Sequence, residues 1–184
     1  MTPEDRRAQA ADYVRYDTLL PGALRAKLLT FATEFVIRVR SLDGVERIAV
    51  IGSIVTPKTD PKDIDFLLTV SDTCDLVPLA SFARRMAGRA QGLNHSAEVF
   101  LASARGEYLG RVCRWRECRP GVRASCDAMH CGRRAHLHDD FADVSLPQTL
   151  LRAPPLELWP ALVVRTTLPP DVQAWIDDMA RWAA

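Results

Sequence analysis

Long apolar stretches, excess charge of one sign and lysine are all scarce in this sequence of 184 residues. No apolar run approaches the roughly 18 residues that cross a bilayer, and the opening MTPEDRRAQAAD lacks the apolar stretch of a secretory signal. We therefore expect no membrane span and a cytoplasmic location. The 24 basic and 23 acidic side chains leave a formal net charge of +1. Overall charge therefore excludes general polyanion binding, and any binding of phosphate or nucleic acid requires a local patch.

Low-complexity tracts and internal repeats are also absent. With 48% hydrophobic and 26% charged residues, the chain is too apolar for intrinsic disorder and long enough to bury one core. Lysine supplies only three of the 24 basic residues, and we interpret the 21 arginines first as a bias of genome composition. The composition is that of one ordinary globular domain.

Apolar periodicity predicts the order helix, strand, loop, strand, helix, strand over the first hundred residues. Spacings of three and four place one apolar stripe along each helix, and short apolar runs of strand length predict the strands. Two prolines predict a loop between the first two strands. The predicted ranges are helix 19–42, strand 47–51, loop 54–62, strand 63–70, helix 76–90 and strand 96–102.

The second half of the chain is less regular. Residues 105–134 show no sustained periodicity, and we expect an irregular insertion there. A proline-rich passage from Pro147 to Pro170 predicts extended pieces. A last amphipathic helix is predicted to begin at Asp171 and to include Trp175 and Trp182.

Two aspartates, Asp63 and Asp65, stand two residues apart at the head of an apolar strand. Because side chains alternate along a strand, both project from one face and Ile64 from the other. Adjacent carboxylates repel unless a cation lies between them, and carboxylate oxygens select hard ions. The pair therefore predicts a Mg²⁺ or Mn²⁺ site, with Glu98 as a third carboxylate if its strand lies alongside. The alternatives are a turn-capping Asp pair and an exposed Glu98 on an edge strand.

Nine residues separate a glycine–serine turn from the aspartate pair. Gly52 allows a phosphate to approach the backbone closely, and the Ser53 hydroxyl and nearby amides can donate to phosphate oxygens. Lys58 and Lys62 lie in the intervening loop, where they either add positive charge or are simply solvated. The turn predicts a phosphate-binding element beside the metal site.

This arrangement resembles the polymerase-β-like nucleotidyltransferase superfamily, especially its minimal bacterial members. The resemblance is carried by the first helix, the strand IAVIGS, the pair DID at the head of the next strand and the later strand AEVFLA. It covers about residues 20–104. The resemblance implies two Mg²⁺ ions about 4 Å apart, one of which lowers the pKa of the acceptor hydroxyl while the other bridges the phosphates.

The resemblance also implies a reaction and a set of residues. Nucleoside monophosphate would pass from a nucleoside triphosphate, with ATP the expected donor, to a hydroxyl on a small molecule, protein or RNA. The family's third acid is usually aspartate and helps to activate that hydroxyl, whereas this chain has glutamate. The resemblance implies that Gly52 and Ser53 bind the nucleotide, and Lys62 in the loop is a further nucleotide-binding candidate. The implied Mg²⁺ ligands are Asp63 and Asp65, and the implied catalytic residues are Asp63, Asp65 and Glu98.

Four of the five cysteines fall within 19 residues, at intervals of four, seven and four intervening residues. In a reducing compartment, thiolates at such spacing can reach one tetrahedral zinc ion. Four thiolates would close the coordination sphere and make the zinc structural. Free thiols are the other interpretation. The cluster is Cys113, Cys118, Cys126 and Cys131, with His130, His136 and His138 as alternative ligands and Cys74 apart.

Eight arginines lie between Arg105 and Arg134, together with Tyr108 and Trp115. Such a segment can bind a nucleic-acid backbone and stack a base. It can also be a solvated surface, which is the interpretation we favour. The sequence HLHDD at residues 136–140 indicates either a second metal site or the start of a helix.

Taken together, these features predict an α/β (α+β) domain of the nucleotidyltransferase type, with a mixed sheet flanked by helices over residues 1–104. Residues 105–184 are predicted to form a Cys- and Arg-rich, zinc-stapled extension whose last helix packs on the core. The expected function is metal-dependent nucleotidyl transfer. One alternative is an inactive module of the same fold that binds nucleic acid or a partner protein through residues 105–134. Another is a zinc-stabilised interaction domain without a nucleotide site.

Overall fold

A computed structural model of the protein describes residues 23–118, 134–138 and 140–183. The apolar periodicity of the first half gives two long helices and three strands in this part of the chain. The elements are helix α1 (Ala23–Val39), strand β1 (Val45–Ile51), a short 3₁₀ helix (Ser53–Val55), strand β2 (Asp63–Val70), helix α2 (Leu76–Gln91) and strand β3 (Ser96–Ser103).

The second half adds short strands and two further helices to the described structure. The proline-rich passage contributes a one-turn helix and two strands, because proline permits extended backbone while breaking longer elements. The elements are β4 (Tyr108–Val112), β5 (Leu137–His138), α3 (Gln148–Arg152), β6 (Leu156–Trp159), β7 (Val163–Val164) and α4 (Pro170–Ala183).

All seven described strands join one mixed sheet in the order β5-β4-β3-β2-β1-β6-β7. The neighbours β2 and β3 are parallel, and helix α2 connects them, as a parallel pair requires. The other neighbouring pairs are antiparallel. The predicted mixed α/β fold class is therefore confirmed.

One face of the sheet, which we call the helix face, packs against α1, α2 and α4. Ile64, Phe66 and Leu68 of β2 are fully buried there, and the Phe66 ring lies 4.7 Å from that of Phe35 on α1. Helix α4 packs on α1, where the Trp175 indole donates a 2.7 Å hydrogen bond to a threonine. The main core of the protein therefore lies on this face.

The opposite face, which we call the site face, has a smaller apolar cover. Leu151 of α3 packs with Leu67 and Phe100 over the middle of the sheet. The described α3 has five residues, and Asp63, Asp65 and Glu98 lie outside this apolar cluster. Polar residues at the start of β2 and β3 therefore remain partly accessible on the site face.

The predicted strand at 63–70 has the bounds of β2, and the other first-half elements agree within a few residues where they are described. The expectation of irregular structure over 105–134 misses β4, because Gly110 and Arg111 interrupt its apolar alternation. The placement of β6 beside β1 was also not predicted. Within the described ranges, no helix has both the length and the apolarity needed to cross a membrane.

Candidate functional site

The acidic residues meet where the parallel strands β2 and β3 begin. Asp65 pairs with Glu98 across β2 and β3, and with Ile51 across β2 and β1. Cross-strand partners point to the same side of a sheet, so the two carboxylates share the site face. Asp63 pairs with Ser96, whose hydroxyl donates a 2.5 Å hydrogen bond to the Asp63 carboxylate. The structure thus brings together all three acids that the sequence singled out.

The glycine–serine turn touches this cluster directly. Gly52 has a φ of 78°, and a β-carbon at this position would lie 2.7 Å from Oδ2 of Asp65. Any other residue at this position would be strained by the positive φ, and its side chain would clash with the Asp65 carboxylate. Ser53 follows at the start of the 3₁₀ helix and is partly exposed. The turn predicted to bind phosphate and the carboxylates predicted to bind metal are therefore neighbours.

Asp65 carries an unusual protonation equilibrium. Burial is the main cause that raises its pKa from 3.8 to about 7, and the charges of Glu98 and Asp63 raise it further in the same direction. At neutral pH this carboxyl is therefore only partly ionised in the absence of a cation. A cation placed between the acids would favour the ionised form, so binding of that cation would release a proton.

Glu98 already has a cationic partner. Nη1 of Arg111 lies 3.1 and 3.2 Å from the two oxygens of the Glu98 carboxylate. Nε of Arg111 forms an ion pair with Asp140, whose side chain is fully buried. The Tyr108 hydroxyl donates a 2.7 Å hydrogen bond to the same Asp140. Glu98 is thus the outer end of a polar network that runs into the site face.

A buried arginine supports the loop behind the site. Nη1 of Arg25 donates to the carbonyls of Ile54 and Thr56 at 3.4 and 3.2 Å, and Nη2 donates to that of Lys58. Its Nε lies 3.3 Å from the Asp171 carboxylate on α4. Arg25 therefore fixes the loop that carries Ser53 and connects it to both terminal helices of the described structure.

The roles of Arg25 and of the network of Arg111, Asp140 and Tyr108 are not predicted from the sequence. Arg25 is a charged residue on the buried side of α1, and this position is the sequence signal that indicates a structural role for it. Nothing in the sequence distinguishes Arg111 from the other arginines of residues 105–134. Its place beside Glu98 depends on strand pairing, which local sequence does not specify.

No group of three or more His, Cys, Asp or Glu residues in the described ranges is arranged to hold a metal ion. In the acidic cluster, both oxygens of Glu98 face Arg111. Asp63 and Asp65 remain as the pair of carboxylates suited to a hard cation. Lys62, between the turn and the pair, is exposed.

The cysteine cluster is described only in part. Backbone N–H of His136 donates to Sγ of Cys118 at 3.1 Å, and the backbone N–H of Cys113 donates to the His136 carbonyl at 2.7 Å. Nδ1 of His136 lies 3.1 Å from the Cys113 carbonyl. The structure therefore brings Cys113, Cys118 and His136 into one region, with His138 on β5 nearby in sequence. Residues Cys126, Cys131 and His130 lie outside the described residues.

Several arginines of the 105–134 segment bind the protein itself. Arg111 pairs with carboxylates, Arg114 donates to the Ala97 carbonyl at 3.0 Å, and Arg134 donates to the Cys74 carbonyl. Arg105 and Arg116 are exposed. Trp115 is 57% exposed. The arginines that are engaged in this way have a structural role, which weakens the case for this segment as a nucleic-acid surface. Arg119, Arg123 and Arg133 lie outside the described ranges.

Fold and site together define a mixed α/β domain with an acidic cluster at the start of two central strands, β2 and β3, and a glycine turn beside it. No protein-family model, curated protein or solved structure matches the chain.

Proposed function

We propose that the protein is a metal-dependent nucleotidyltransferase that moves a nucleoside monophosphate from a triphosphate, with ATP the expected donor, to an acceptor hydroxyl. The observation that carries the proposal is the row formed by Gly52, Asp65 and Glu98. The strand register sets the two acids side by side, and the glycine turn contacts the carboxylate of the first. A phosphate held at such a turn would lie next to carboxylates that favour a divalent cation.

Each residue has a chemical task in this proposal. The Gly52–Ser53 turn, with Lys62, binds the triphosphate, and Arg25 keeps the turn in place from behind. Asp63 and Asp65 would hold Mg²⁺ or Mn²⁺, which when bound supplies charge neutralisation for the phosphates.

In the transfer itself, the acceptor oxygen forms a bond to the α-phosphorus while the bond from that phosphorus to the β-bridging oxygen breaks. Pyrophosphate leaves with the electron pair of the broken bond. The Glu98 carboxylate acts as the general base and takes up the hydroxyl proton. The energetic contribution of the chain is then positioning and electrostatics, the usual contributions to phosphoryl transfer.

We further propose a structural zinc ion on the extension, with Cys113 and Cys118 as two of its ligands. The backbone N–H that donates to Sγ of Cys118 supports this idea, because such bonds stabilise a thiolate. Thiolate ligands suit a reducing cytoplasm. Elemental analysis of protein purified without added metal is expected to give about one zinc per chain, and a clear absence of zinc would contradict the proposal.

The proposed activity is tested by calorimetric titration of each ribonucleoside triphosphate in the presence of Mg²⁺. We compare the wild type with the double variant Asp63→Asn, Asp65→Asn. Because the variant removes the charges that hold the cation, we expect Mg²⁺-dependent binding to fall by about a hundredfold or more. Transfer to an acceptor is expected to disappear with it.

The matched control is Asp43→Asn, Asp72→Asn, which also removes two negative charges from exposed positions away from the start of β2. It should bind nucleotide like the wild type, since charge alone at that distance is screened by salt. Undiminished binding by the Asp63, Asp65 variant would contradict the proposal. Binding of RNA or DNA by that variant, with no nucleotide binding by the wild type, would instead indicate the inactive module.

A further inference from the structure

The contacts of Glu98 differ from those of the two aspartates beside it. Both of its oxygens lie within hydrogen-bond distance of a single nitrogen, Nη1 of Arg111. Arg111 on β4 is the cross-strand partner of Phe100 on β3. Phe100 lies two residues after Glu98 on the same strand, so all three side chains are on the same face of the sheet. The diagonal position lets a long side chain reach its neighbour. Sheet register therefore places this guanidinium over the third acid.

Arg111 is also held from its other side. Asp140 is fully buried and pairs with Nε of Arg111, and Tyr108 donates to the same carboxylate. Burial alone lowers the pKa of Arg111, but Glu98 and Asp140 outweigh this effect and raise it above its ordinary value. Moving the guanidinium away would leave Asp140 as a buried carboxylate without its cation, which is strongly unfavourable. The network thus keeps Arg111 against Glu98.

We propose that Arg111 is the internal counter-cation of Glu98 and keeps that carboxylate out of metal coordination, so that Asp63 and Asp65 alone bind the metal. The inference rests on the proposed function, because it concerns the cation that this function requires. It differs from a site in which three acids share two metal ions. In this arrangement, Arg111 is a positioning residue that acts through Glu98.

Mn²⁺ binding, followed by the electron paramagnetic resonance signal of the free ion, tests the proposal without any need for activity. The informative variant is Arg111→Gln, Asp140→Asn, which frees Glu98 and leaves no buried charge unpaired. We expect this variant to bind Mn²⁺ about tenfold more tightly than the wild type, because the charge of the ligand set tunes cation affinity.

Glu98→Gln completes the comparison in both backgrounds. In the wild type it should change Mn²⁺ affinity by less than about twofold, because Glu98 is already engaged with Arg111. In the Arg111→Gln, Asp140→Asn background it should cancel the tenfold gain. The matched control is Glu34→Gln, Arg89→Gln, which removes an ion pair between α1 and α2 without changing net charge. The control should leave Mn²⁺ affinity unchanged.

The outcomes separate the inference from the function on which it rests. Equal Mn²⁺ affinity in the wild type and the Arg111, Asp140 variant, with binding lost on Asp63→Asn, would overturn the inference and leave the metal site intact. If neither the wild type nor the Arg111, Asp140 variant bound Mn²⁺, the proposed metal site would be overturned as well. If the double variant does not fold, Glu98→Gln alone decides the question. A tenfold loss of affinity in this single variant would show that Glu98 is a metal ligand and overturn the inference.

Discussion

The two faces of strand β2 have the same backbone and opposite chemistry. On the helix face, Ile64, Phe66 and Leu68 are all fully buried. On the site face, Asp63 and Asp65 are only partly buried, although they alternate with those same residues. A strand of eight residues therefore forms the centre of the core and carries the acidic cluster at once.

The difference between the faces comes from what covers them. The apolar cluster on the helix face is large and includes residues of three long helices, whereas the cluster on the site face is small and includes Leu151 of the short helix α3. Leu67 lies under that cover and is as buried as Phe66. The contrast is therefore strongest at the start of β2, where the side chain on the helix face is fully buried and those on the site face are polar and partly exposed. Rigid elements of this kind position functional groups better than loops do.

Phe66→Ala is expected to have the largest effect on stability. It removes a fully buried ring that packs 4.7 Å from Phe35. The resulting cavity should lower the free energy of unfolding by about 3–5 kcal/mol. Urea denaturation followed by circular dichroism measures the change. Asp63→Ala, three residues earlier on the other face, should cost less than about 1 kcal/mol. Similar losses for the two variants would abolish the contrast between the faces.

Asp65→Asn should stabilise the protein at high pH. The folded-state pKa of Asp65, about 7, lies above the ordinary value of 3.8, so the folded state binds more protons between these values. This group therefore costs stability progressively as pH rises from about 4 to 7. At pH 8 the substitution should add about 2 kcal/mol, since partial exposure reduces the full effect of the shift. At pH 4 it should add almost nothing.

Urea midpoints of the wild type and of Asp65→Asn at the two pH values check this expectation. An equal gain at pH 4 and pH 8 would mean that burial and neighbouring carboxylates do not raise the pKa. The same property predicts that Mg²⁺ binding strengthens as pH rises through about 7, because the ion must displace a proton from Asp65.

The elements that sequence predicts well are those whose signal is local. The bounds of β2 follow from one apolar run, and the aspartate pair shares a face because strands alternate. By contrast, the sequence predicts that Glu98 lies near Asp63 and Asp65 only if its strand pairs with β2. The position of Arg111 depends on a further strand, β4, in which glycine and arginine mask the apolar pattern. Pairing is a non-local property, so this part of the site required the structure.

The smallest expected effect concerns Ser96, which joins β3 to the first acid of β2. Its hydroxyl donates to the Asp63 carboxylate at 2.5 Å near the surface. Ser96→Ala should therefore cost only about 0.5–1 kcal/mol of stability. It should weaken Mn²⁺ binding severalfold, because the lost hydrogen bond orients a proposed ligand.

Ser41→Ala provides the control for that measurement. It removes another exposed serine hydrogen bond, at 2.9 Å to the Arg38 carbonyl after α1. We expect a similar cost in urea denaturation and no change in Mn²⁺ affinity. If both serine variants left Mn²⁺ affinity unchanged, orientation of Asp63 by β3 would be irrelevant to metal binding. The hydrogen bond between Ser96 and Asp63 would then contribute to stability alone, as burial does on the helix face.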